Sequence, residues 1–273
     1  MKIKSNAKIN LGLYITGLDD KNYHLLDATM LPISLYDDIE IEISDKDEVI
    51  FINQEVPNNN TVTKVIKLMK EYYKFNECFK VIINKNIPSG AGLGGGSSNA
   101  AFVMKAIVEL LKLNPGEELF DIALKVGADV PFFLINKPCR MQGIGEILTP
   151  FEVKNKHSFL LIKPKFGINT VEAYKKYDEI NKKNKSIILE VINSLKEGKI
   201  INEINNDLFE SAKNLQPELN SIVNEINKLN PKLLTMSGSG STLVIYDDID
   251  KLKTIEKQIK NTNFELCHIV EII

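Results

Sequence analysis

Alternating apolar and polar residues predict β-strands in the first half of the chain. Residues 8–15 place isoleucine or leucine at every second position, and residues 37–44 alternate isoleucine with glutamate. Because successive side chains of a strand point to opposite faces, both segments predict strands with one buried face. The short apolar run 49–52 and the segment 79–88, which Pro88 closes, predict additional strands.

Apolar residues spaced three or four positions apart predict helices between these strands. Asn60 or Thr61 can cap a helix that carries valine, isoleucine and methionine on one face. Another helix is predicted from about Ser97, and a third ends at Gly127, a residue type that commonly terminates helices. Strands and helices are mixed in this half without strict alternation, which predicts an α+β fold rather than a doubly wound sheet.

The second half is richer in helices and ends in a compact strand–strand–helix–strand pattern. The predicted elements are a strand at 158–163, helices at 171–177, 187–196, 201–215 and from Pro217, and the final set over 233–273. The final set has the content of half a split βαβ unit. A polar stretch at 151–158 separates the two halves, so we predict two domains, residues 1–152 and 153–273.

Composition and charge exclude several classes of function. The 273 residues include 34 basic and 36 acidic side chains, a net charge of -2, so a general nucleic-acid partner is not expected. Apolar runs stop far short of the roughly 20 residues that a membrane span needs. Cys78, Cys139 and Cys267 are odd in number and far apart, which predicts reduced thiols in a cytoplasmic protein. The three histidines are also scattered, so no transition-metal site made only of protein ligands is expected.

The glycine-rich segment PSGAGLGGGSSNAA, from Pro88 to Ala101, is the strongest chemical signal. Glycines let the backbone approach an anion, and the N–H groups of a following helix face it, so the segment predicts a phosphate cradle. The alternative is a flexible surface loop with a capping serine. The loop lacks the G-K-[ST] ending of a Walker P-loop, and its G-x-G-x-x-G match is followed by a second helix rather than a strand. The candidate phosphate-binding residues are Pro88, Ser89, Gly90, Ala91, Gly92, Leu93, Gly94, Gly95, Gly96, Ser97 and Ser98. Of these, Ser97 and Ser98 can also reach Mg²⁺.

Isolated polar residues supply the remaining candidates, each with a structural alternative. Lys8 and Asn10 share the polar face of the first strand, where a lysine is commonly a solvated edge residue. Asp129 lies in an otherwise apolar segment and suits either a helix N-cap or a catalytic acid–base role. Tyr23 and His24 can stack on and hydrogen-bond a base-like ligand, or form an ordinary turn.

A second glycine–serine segment, SGSGS at 237–241, lies between two predicted strands. It suits a plain hairpin turn or a second loop that closes over phosphates. The residues alone leave both interpretations open.

Taken together, these segments resemble the GHMP kinases. PSGAGLGGGSSNAA is similar to the P-x-x-x-G-L-G-[GS]-S-S motif of that family, and AKINLGLYITG, NYHLL, GADVPFFL, GIGEIL and MSGSGST recur in the family's order. The resemblance spans nearly the whole chain. It implies an N-terminal domain of the ribosomal protein S5 domain 2-like type and a C-terminal ferredoxin-like domain.

The resemblance also implies a reaction and roles for the candidate residues. Within the family the segments are most similar to members that phosphorylate the 2-hydroxyl of a cytidine diphosphate-linked methylerythritol, in the non-mevalonate isoprenoid pathway. ATP and Mg²⁺ are the implied cofactors, with the ATP phosphates on the residues from Gly90 to Ser98. Asp129 is the implied general base and Lys8 its electrostatic partner. The implied substrate-binding residues are Asn10, Tyr23, His24, Thr170 and Tyr174.

Two alternatives remain beside this interpretation. One is another small-molecule kinase of the family, of the homoserine or mevalonate kinase type, and the other is a non-catalytic nucleotide-binding homologue. The sequence departs from the family pattern at Asn22, where glycine is usual, at Ile144, where arginine is common, and at Asn169, where serine or proline is common. The oligomeric state is open between a monomer and a weak homodimer, and no nucleic-acid or membrane partner is expected.

Overall fold

The structure, a computed structural model, describes residues 1–57, 59–180, 184–259 and 264–273. The chain forms two compact units. The first consists of Met1–Ala7, Leu35–Ser89 and Gly94–Asn136, and the second of Lys8–Ser34, Gly90–Leu93 and Lys137–Ile273. Several segments that the sequence assigned to an N-terminal domain, 1–152, thus belong to the second unit, and the domain boundary itself stays a prediction.

Most strands and helices of the described residues follow the sequence pattern. The exception at the start of the chain is the segment 8–15, predicted as one strand with one buried face: residues 10–12 lie between two strands, and both faces of the segment are buried. The strands are β1 (Lys2–Ile9), β2 (Leu13–Leu18), β3 (His24–Ser44), β4 (Glu48–Ile52), β5 (Cys78–Asn84), β6 (Cys139–Gly143), β7 (Ile147–Pro150), β8 (Ser158–Lys163), β9 (Leu233–Met236), β10 (Leu243–Tyr246) and β11 (Leu266–Glu271). The helices are α1 (Thr61–Tyr73), α2 (Gly95–Leu110), α3 (Glu118–Val126), α4 (Val130–Ile135), α5 (Thr170–Ile180), α6 (Ile188–Glu197), α7 (Phe209–Leu215), α8 (Pro217–Asn227) and α9 (Ile249–Ile259).

In the first unit, β5 lies between two other strands. Residues 38–44 of β3 pair antiparallel with β5, and β4 pairs with β5 in parallel. Ile39 and Ile41 of β3 are buried while Glu40 and Glu42 are exposed, as the alternating pattern predicted. Helices α1, α2, α3 and α4 of this unit contact one another.

Helix ends in the first unit follow the local signals in the sequence. Asn60 is the N-cap of α1, and its side chain accepts a hydrogen bond from the Thr63 N–H. Gly127 is the C-cap of α3, in extended conformation. Asp129 occupies the N-cap position of α4, with Pro131 in the first turn, but its side chain makes no capping hydrogen bond.

The second unit contains a four-stranded antiparallel sheet in the order β11-β8-β10-β9. Helices α5 to α8 connect β8 to β9, and α9 connects β10 to β11. This strand order and connectivity are those of a ferredoxin-like βαββαβ unit with additional helices, which confirms the fold predicted for this part of the chain. The same unit also holds an antiparallel set in which β2 and β6 pair with β3, and β6 pairs with β7.

The helix predicted over 201–215 is wrong in its first half, since only Phe209–Leu215 is helical. The preceding residues bond to distant backbone instead. Asn206 Nδ2 donates to the carbonyls of Met236 and Gly238 at 2.7 and 2.8 Å, and Asp207 Oδ2 accepts from the Ile15 N–H at 2.8 Å. Asn and Asp side chains compete with helical hydrogen bonds in this way, so the helix starts only after them.

Candidate active site

The glycine-rich loop turns at three left-handed residues before it enters α2. Gly90, Gly92 and Gly94 have φ values of 61°, 73° and 71°, and Gly94 is the N-cap of α2. Side chains disfavour this conformation, so the loop requires glycine at these positions. The first N–H groups of α2, a 16-residue helix, have no partner within the helix and can face an anion.

Two contacts hold the entry to α2 within the first unit. A Cβ added to Gly95 would lie 2.9 Å from the Ile87 side chain, so this position also requires glycine. The Thr61 hydroxyl donates to the Gly96 carbonyl at 2.7 Å. Ser98 is fully buried, and its Oγ has no hydrogen-bond partner among the residues that the structure describes.

Within the second unit, Ser237 joins residues 90–93 of the loop to the start of the chain. Its Oγ donates to the Gly92 carbonyl at 2.9 Å and accepts from the Asn10 N–H at 3.1 Å. The Lys8 N–H donates to the Leu93 carbonyl at 3.0 Å. The 237–241 segment is therefore a turn between antiparallel strands β9 and β10 that also contacts the glycine-rich loop. Its closing over phosphates stays a prediction.

Lys8 is a buried residue, so the solvated-edge interpretation of this lysine is wrong. Lys8 is 4% exposed and Asn10 2% exposed, and Lys8 Nζ donates to Asn10 Oδ1 at 2.6 Å. Asn10 Nδ2 in turn donates to the Thr29 carbonyl at 3.0 Å. These bonds fix the direction of both polar side chains. Asp129, their predicted catalytic partner, belongs to the first unit.

A cavity of about 330 Å³ in the second unit brings together three of the predicted substrate-binding residues, Tyr23, His24 and Tyr174. The His24 ring stacks on Tyr174, with centroids 4.7 Å apart, and its Nε2 lies 2.8 Å from Asp178 Oδ1. The cavity is also lined by Asn22, Leu26, Ile144, Val171, Lys175 and Asp178. Thr170 is the first residue of α5, and its Oγ1 lies 2.8 Å from Ser239 Oγ.

The departures from the family pattern fit the structure. Asn22 has φ 62°, the left-handed conformation that the usual glycine would adopt and that asparagine tolerates. Asn169 Oδ1 accepts from the N–H groups of Val171 and Glu172 at 2.9 and 3.2 Å, which supports the start of α5. Ile144 is 46% exposed and gives the cavity an apolar side chain where arginine is common.

An ion pair between β3 and β6 was not predicted from the sequence. Asp27 is 6% exposed and accepts two hydrogen bonds from Arg140, from Nε at 2.8 Å and Nη2 at 3.1 Å. It also accepts from the Ser186 hydroxyl at 2.7 Å. The hydrogen bond to Asp27 raises the pKa of Arg140. An acid within the apolar segment LLDATML was the available signal for this site.

Asp207 was missed as well. Its Oδ1 accepts from Asn184 Nδ2 at 2.6 Å and from Asn205 Nδ2 at 3.2 Å. Burial, together with the negative charge of Asp207, raises the pKa of Tyr14 to about 12. Tyr14 therefore stays a neutral phenol throughout the physiological range, and Asp207 organises the 205–208 segment.

Neither a metal cluster nor a membrane span is found in the described part of the chain. Over 1–57, 59–180, 184–259 and 264–273, no three His, Cys, Asp or Glu side chains are grouped to hold a metal ion. In those same ranges no helix is long and apolar enough to cross a bilayer.

Comparisons with known proteins identify the family of this chain. Residues 60–137 match the GHMP kinases N terminal domain. The 4-diphosphocytidyl-2-C-methyl-D-erythritol kinase of Thermoanaerobacter pseudethanolicus is 38% identical over 267 residues, covering 95% of this chain and 92% of that protein. The enzyme of the same name from Fusobacterium nucleatum is 37% identical and covers 95% and 92% of the two chains.

Solved structures give the same result. The crystal structure of a 4-(cytidine 5'-diphospho)-2C-methyl-D-erythritol kinase aligns with a TM-score of 0.86 and 26% identity, over 100% of this chain and 99% of that one. Mevalonate kinase from Methanococcus jannaschii, at 17% identity and a TM-score of 0.71 over 100% and 98% of the chains, shares the fold. The predicted α+β GHMP kinase fold is thus confirmed. At this identity and coverage, the chain belongs to the 4-diphosphocytidyl-2-C-methyl-D-erythritol kinases, a family of small-molecule kinases of the GHMP type.

Proposed function

We propose that this protein transfers the γ-phosphoryl group of ATP to the 2-hydroxyl of 4-diphosphocytidyl-2-C-methyl-D-erythritol, giving the 2-phosphate and ADP in the non-mevalonate isoprenoid pathway. The observation that carries the proposal is the cavity lined by Tyr23, His24 and Tyr174, in which folding brings Tyr174 of α5 to the adjacent pair Tyr23 and His24. Aromatic faces beside hydrogen-bonding groups suit a nucleobase with an attached diphosphate. The names of the relatives supply the identity of that ligand.

The glycine-rich loop suits the phosphates of ATP. A Cβ on Gly90 would meet nothing within 4 Å, whereas one on Gly92 would lie 2.2 Å from the Ser237 carbonyl oxygen. Gly92 is therefore needed for the loop's own packing, and Gly90 leaves space beside its backbone. The buried Ser98 hydroxyl, in the first turn of α2, is a donor suited to a phosphate oxygen.

Mg²⁺ is proposed as the second cofactor, and the residues at hand suit it. Mg²⁺ keeps several water ligands and binds chiefly through substrate phosphates, so it does not require a cluster of protein carboxylates. The hydroxyls of Ser97 and Ser98 at the start of α2 would be available either to the ion or to the phosphate oxygens. When bound, the ion neutralises charge on the phosphate oxygens.

Asp129 and Lys8 are proposed as the catalytic pair. The substrate 2-hydroxyl oxygen forms a bond to the γ-phosphorus, the bond from that phosphorus to the ADP oxygen breaks, and the hydroxyl proton passes to the Asp129 carboxylate. The Lys8 ammonium stabilises the negative charge on the transferring group. Its hydrogen bond to Asn10 holds it in one direction, which reduces the reorganisation needed during the reaction.

The remaining sequence-based expectations are also proposals. We assign Asn10 and Thr170 to the substrate, residues 1–152 and 153–273 to two domains, and the protein to the cytoplasm as a monomer or weak homodimer. A net charge of -2 supports the absence of a nucleic-acid partner.

The test is ADP release by the purified protein with ATP and Mg²⁺. The cytidyl substrate is compared with homoserine, mevalonate and galactose, and turnover is expected with the cytidyl substrate alone. Turnover with another alcohol would support kinase activity but reject the cytidyl compound as the substrate. ATP binding without any turnover would favour the non-catalytic homologue.

Asp129→Asn tests the proposed base in the same assay. We expect turnover to fall by about 10²–10⁴-fold while the Kd for ATP stays within about twofold, since the variant removes a proton acceptor and not the phosphate loop. Asp121→Asn, an exposed carboxylate on α3 of the same unit, is the matched control and is expected to be fully active. Unchanged turnover in Asp129→Asn would reject the base assignment.

A further inference from the structure

The short segment 10–12, which separates β1 from β2, is buried although it belongs to neither strand. Asn10 and Leu11 are 2% and 1% exposed, and Gly12 has a φ of 89°. Buried backbone groups outside a strand ladder need other hydrogen-bond partners. Side chains from elsewhere in the fold must therefore supply them at this break, which directly follows the strand that carries Lys8.

The Thr29 side chain supplies both backbone partners of Leu11. Its Oγ1 accepts a hydrogen bond from the Leu11 N–H at 3.0 Å and donates one to the Leu11 carbonyl at 2.6 Å. A hydroxyl can donate and accept at once, which the methyl group of a valine cannot do. Thr29 lies in β3 and is fully buried, so solvent cannot take over these two bonds.

The Thr29 backbone also determines which way the Asn10 amide points. Asn10 Nδ2 donates to the Thr29 carbonyl at 3.0 Å, and Asn10 Oδ1 accepts from Lys8 Nζ at 2.6 Å. Turning the amide over would place its oxygen against the carbonyl oxygen and its NH₂ group against the ammonium, so both bonds would be lost. The amide therefore has a single orientation, in which Thr29 holds Asn10 and Asn10 holds Lys8.

We propose that Thr29 is a positioning residue for phosphoryl transfer, which directs the Lys8 ammonium by holding Asn10 and Leu11. The inference rests on the proposed function, in which Lys8 stabilises the negative charge on the transferring group. Thr29 acts through Asn10 and Lys8. A charged group that already points toward the developing charge needs little reorganisation during the reaction, so the loss of this hold lowers kcat rather than the binding of either substrate.

The experiment compares wild type with Thr29→Val, which removes the hydroxyl and keeps the shape of the side chain, and with Thr29→Ser, which keeps the hydroxyl. Thr235→Val is the matched control, because Thr235 is a buried threonine of the same unit whose Oγ1 has no hydrogen-bond partner among the described residues. We measure kcat, KM for ATP and KM for the cytidyl substrate, with urea unfolding to show that each variant is folded in the assay.

Two further measurements separate positioning from a purely structural role. Thr29→Val is also made in a Lys8→Ala background, with radiolabelled ATP to follow the low turnover. The Asn10 side-chain amide is followed by ¹H–¹⁵N NMR, and Asn10→Asp assigns its signal. A loss of packing alone would lower kcat in both backgrounds, whereas a loss of direction at Lys8 would lower it only where Lys8 is present.

For Thr29→Val we expect kcat to fall about tenfold with both KM values within about twofold, since a displaced group costs transition-state stabilisation and not substrate binding. Thr29→Ser should keep kcat within about threefold of wild type, because its hydroxyl can make both bonds. In the Lys8→Ala background, Thr29→Val should change kcat by less than about twofold. The Asn10 amide signal should shift in Thr29→Val more than in Thr29→Ser, and Thr235→Val should match wild type on every measure.

The outcomes separate this inference from the proposed function. If wild type does not phosphorylate the cytidyl substrate, the proposed function fails and the positioning role fails with it. If wild type is active but Thr29→Val keeps its kcat, leaves the Asn10 amide signal unshifted, or loses the same factor when Lys8 is absent, the positioning role is overturned and the proposed function stands. Should Thr29→Val fail to fold, Thr29→Cys decides on the same readouts, because its thiol is only a weak hydrogen-bonding group.

Discussion

Replacing Asp37 by alanine tests whether one buried carboxylate holds the approach to the glycine-rich loop. Asp37 is fully buried in β3. Its Oδ1 accepts from the N–H groups of Asn86 and Ile87 at 2.7 and 2.8 Å, just before the loop. Its Oδ2 forms an ion pair with Lys85 and accepts from Asn99 Nδ2 of α2 at 2.9 Å. One side chain thus joins the strand, the entry to the loop and the helix that leaves it.

The expected loss of stability follows from the groups left behind. Lys85 is 7% exposed in its side chain, and removing one partner of a buried ion pair costs about 3–5 kcal/mol. The Ile87 N–H stays buried without its acceptor and adds about 1 kcal/mol or more, while the exposed Asn86 can turn to water. We therefore expect Asp37→Ala to lower the free energy of unfolding by about 4 kcal/mol or more.

Urea unfolding followed by circular dichroism measures this loss. With a slope of roughly 3 kcal/mol per molar urea, the midpoint should fall by about 1.3 M or more. Asp38→Ala is the matched control, because Asp38 is the next residue, exposed, and meets Asn86 Nδ2 only at 3.4 Å. The control should lose less than about 0.5 kcal/mol.

A second variant separates the buried charge from lost packing. Adding Lys85→Met to Asp37→Ala removes the unpaired ammonium, so the double variant should be more stable than Asp37→Ala alone. The reasoning is refuted if Asp37→Ala behaves like Asp38→Ala, or if Lys85→Met adds its own full cost to that of Asp37→Ala.

Three further predictions concern other parts of the molecule. Gly92→Ala should weaken ATP binding and destabilise the fold, because its Cβ would lie 2.2 Å from a carbonyl oxygen, whereas Gly90→Ala should weaken ATP binding with a smaller loss of stability. Calorimetry with ATP and thermal unfolding distinguish the two variants, and equal destabilisation would contradict the assignment. Burial lowers the pKa of His157 below its ordinary value near 6.5, so the unfolded state binds the proton first and the free energy of unfolding should fall as pH drops below about 6.5. His157→Phe should flatten this dependence of stability on pH in urea titrations between pH 5 and 7, and an unchanged dependence would contradict the prediction. Burial raises the pKa of the Cys139 thiol to about 11, so a thiol reagent at pH 8 should label Cys78 and Cys267 in the native protein and Cys139 only in denaturant. Rapid labelling of all three cysteines would refute the burial argument.

Local signals predicted most of the secondary structure because their causes lie within a few residues. Asn60 caps α1 through the Thr63 N–H, three positions away, and Gly90, Gly92 and Gly94 of the glycine-rich loop adopt left-handed conformations that other residues avoid. The helix predicted over 201–215 failed for the opposite reason. The partners of Asn206 are carbonyls 30 and 32 positions distant, and no local pattern announces them.

The residues of the candidate site also fall into two groups, those recognisable in the sequence and those recognisable only in the folded structure. The motif order identified the family and named Lys8, Asp129 and the loop, since glycines and isolated charges are visible along the chain. It did not identify Asp37, Asp178 or the pair of Asp27 with Arg140, whose partners are brought close only by folding.

The sequence by itself determined most kinds of element, the family and the residue types at the glycine-rich loop. Periodicity, capping and positive φ are properties of neighbouring residues, which every segment carries wherever it is placed. Only the tertiary structure decided that Lys8 is buried against Asn10, that Ser237 reaches Gly92, and that a helix face holds His24. Burial and hydrogen bonding between residues far apart in the chain depend on how strands and helices pack, and that packing sets the burial, the hydrogen-bond partners and the direction of each candidate side chain.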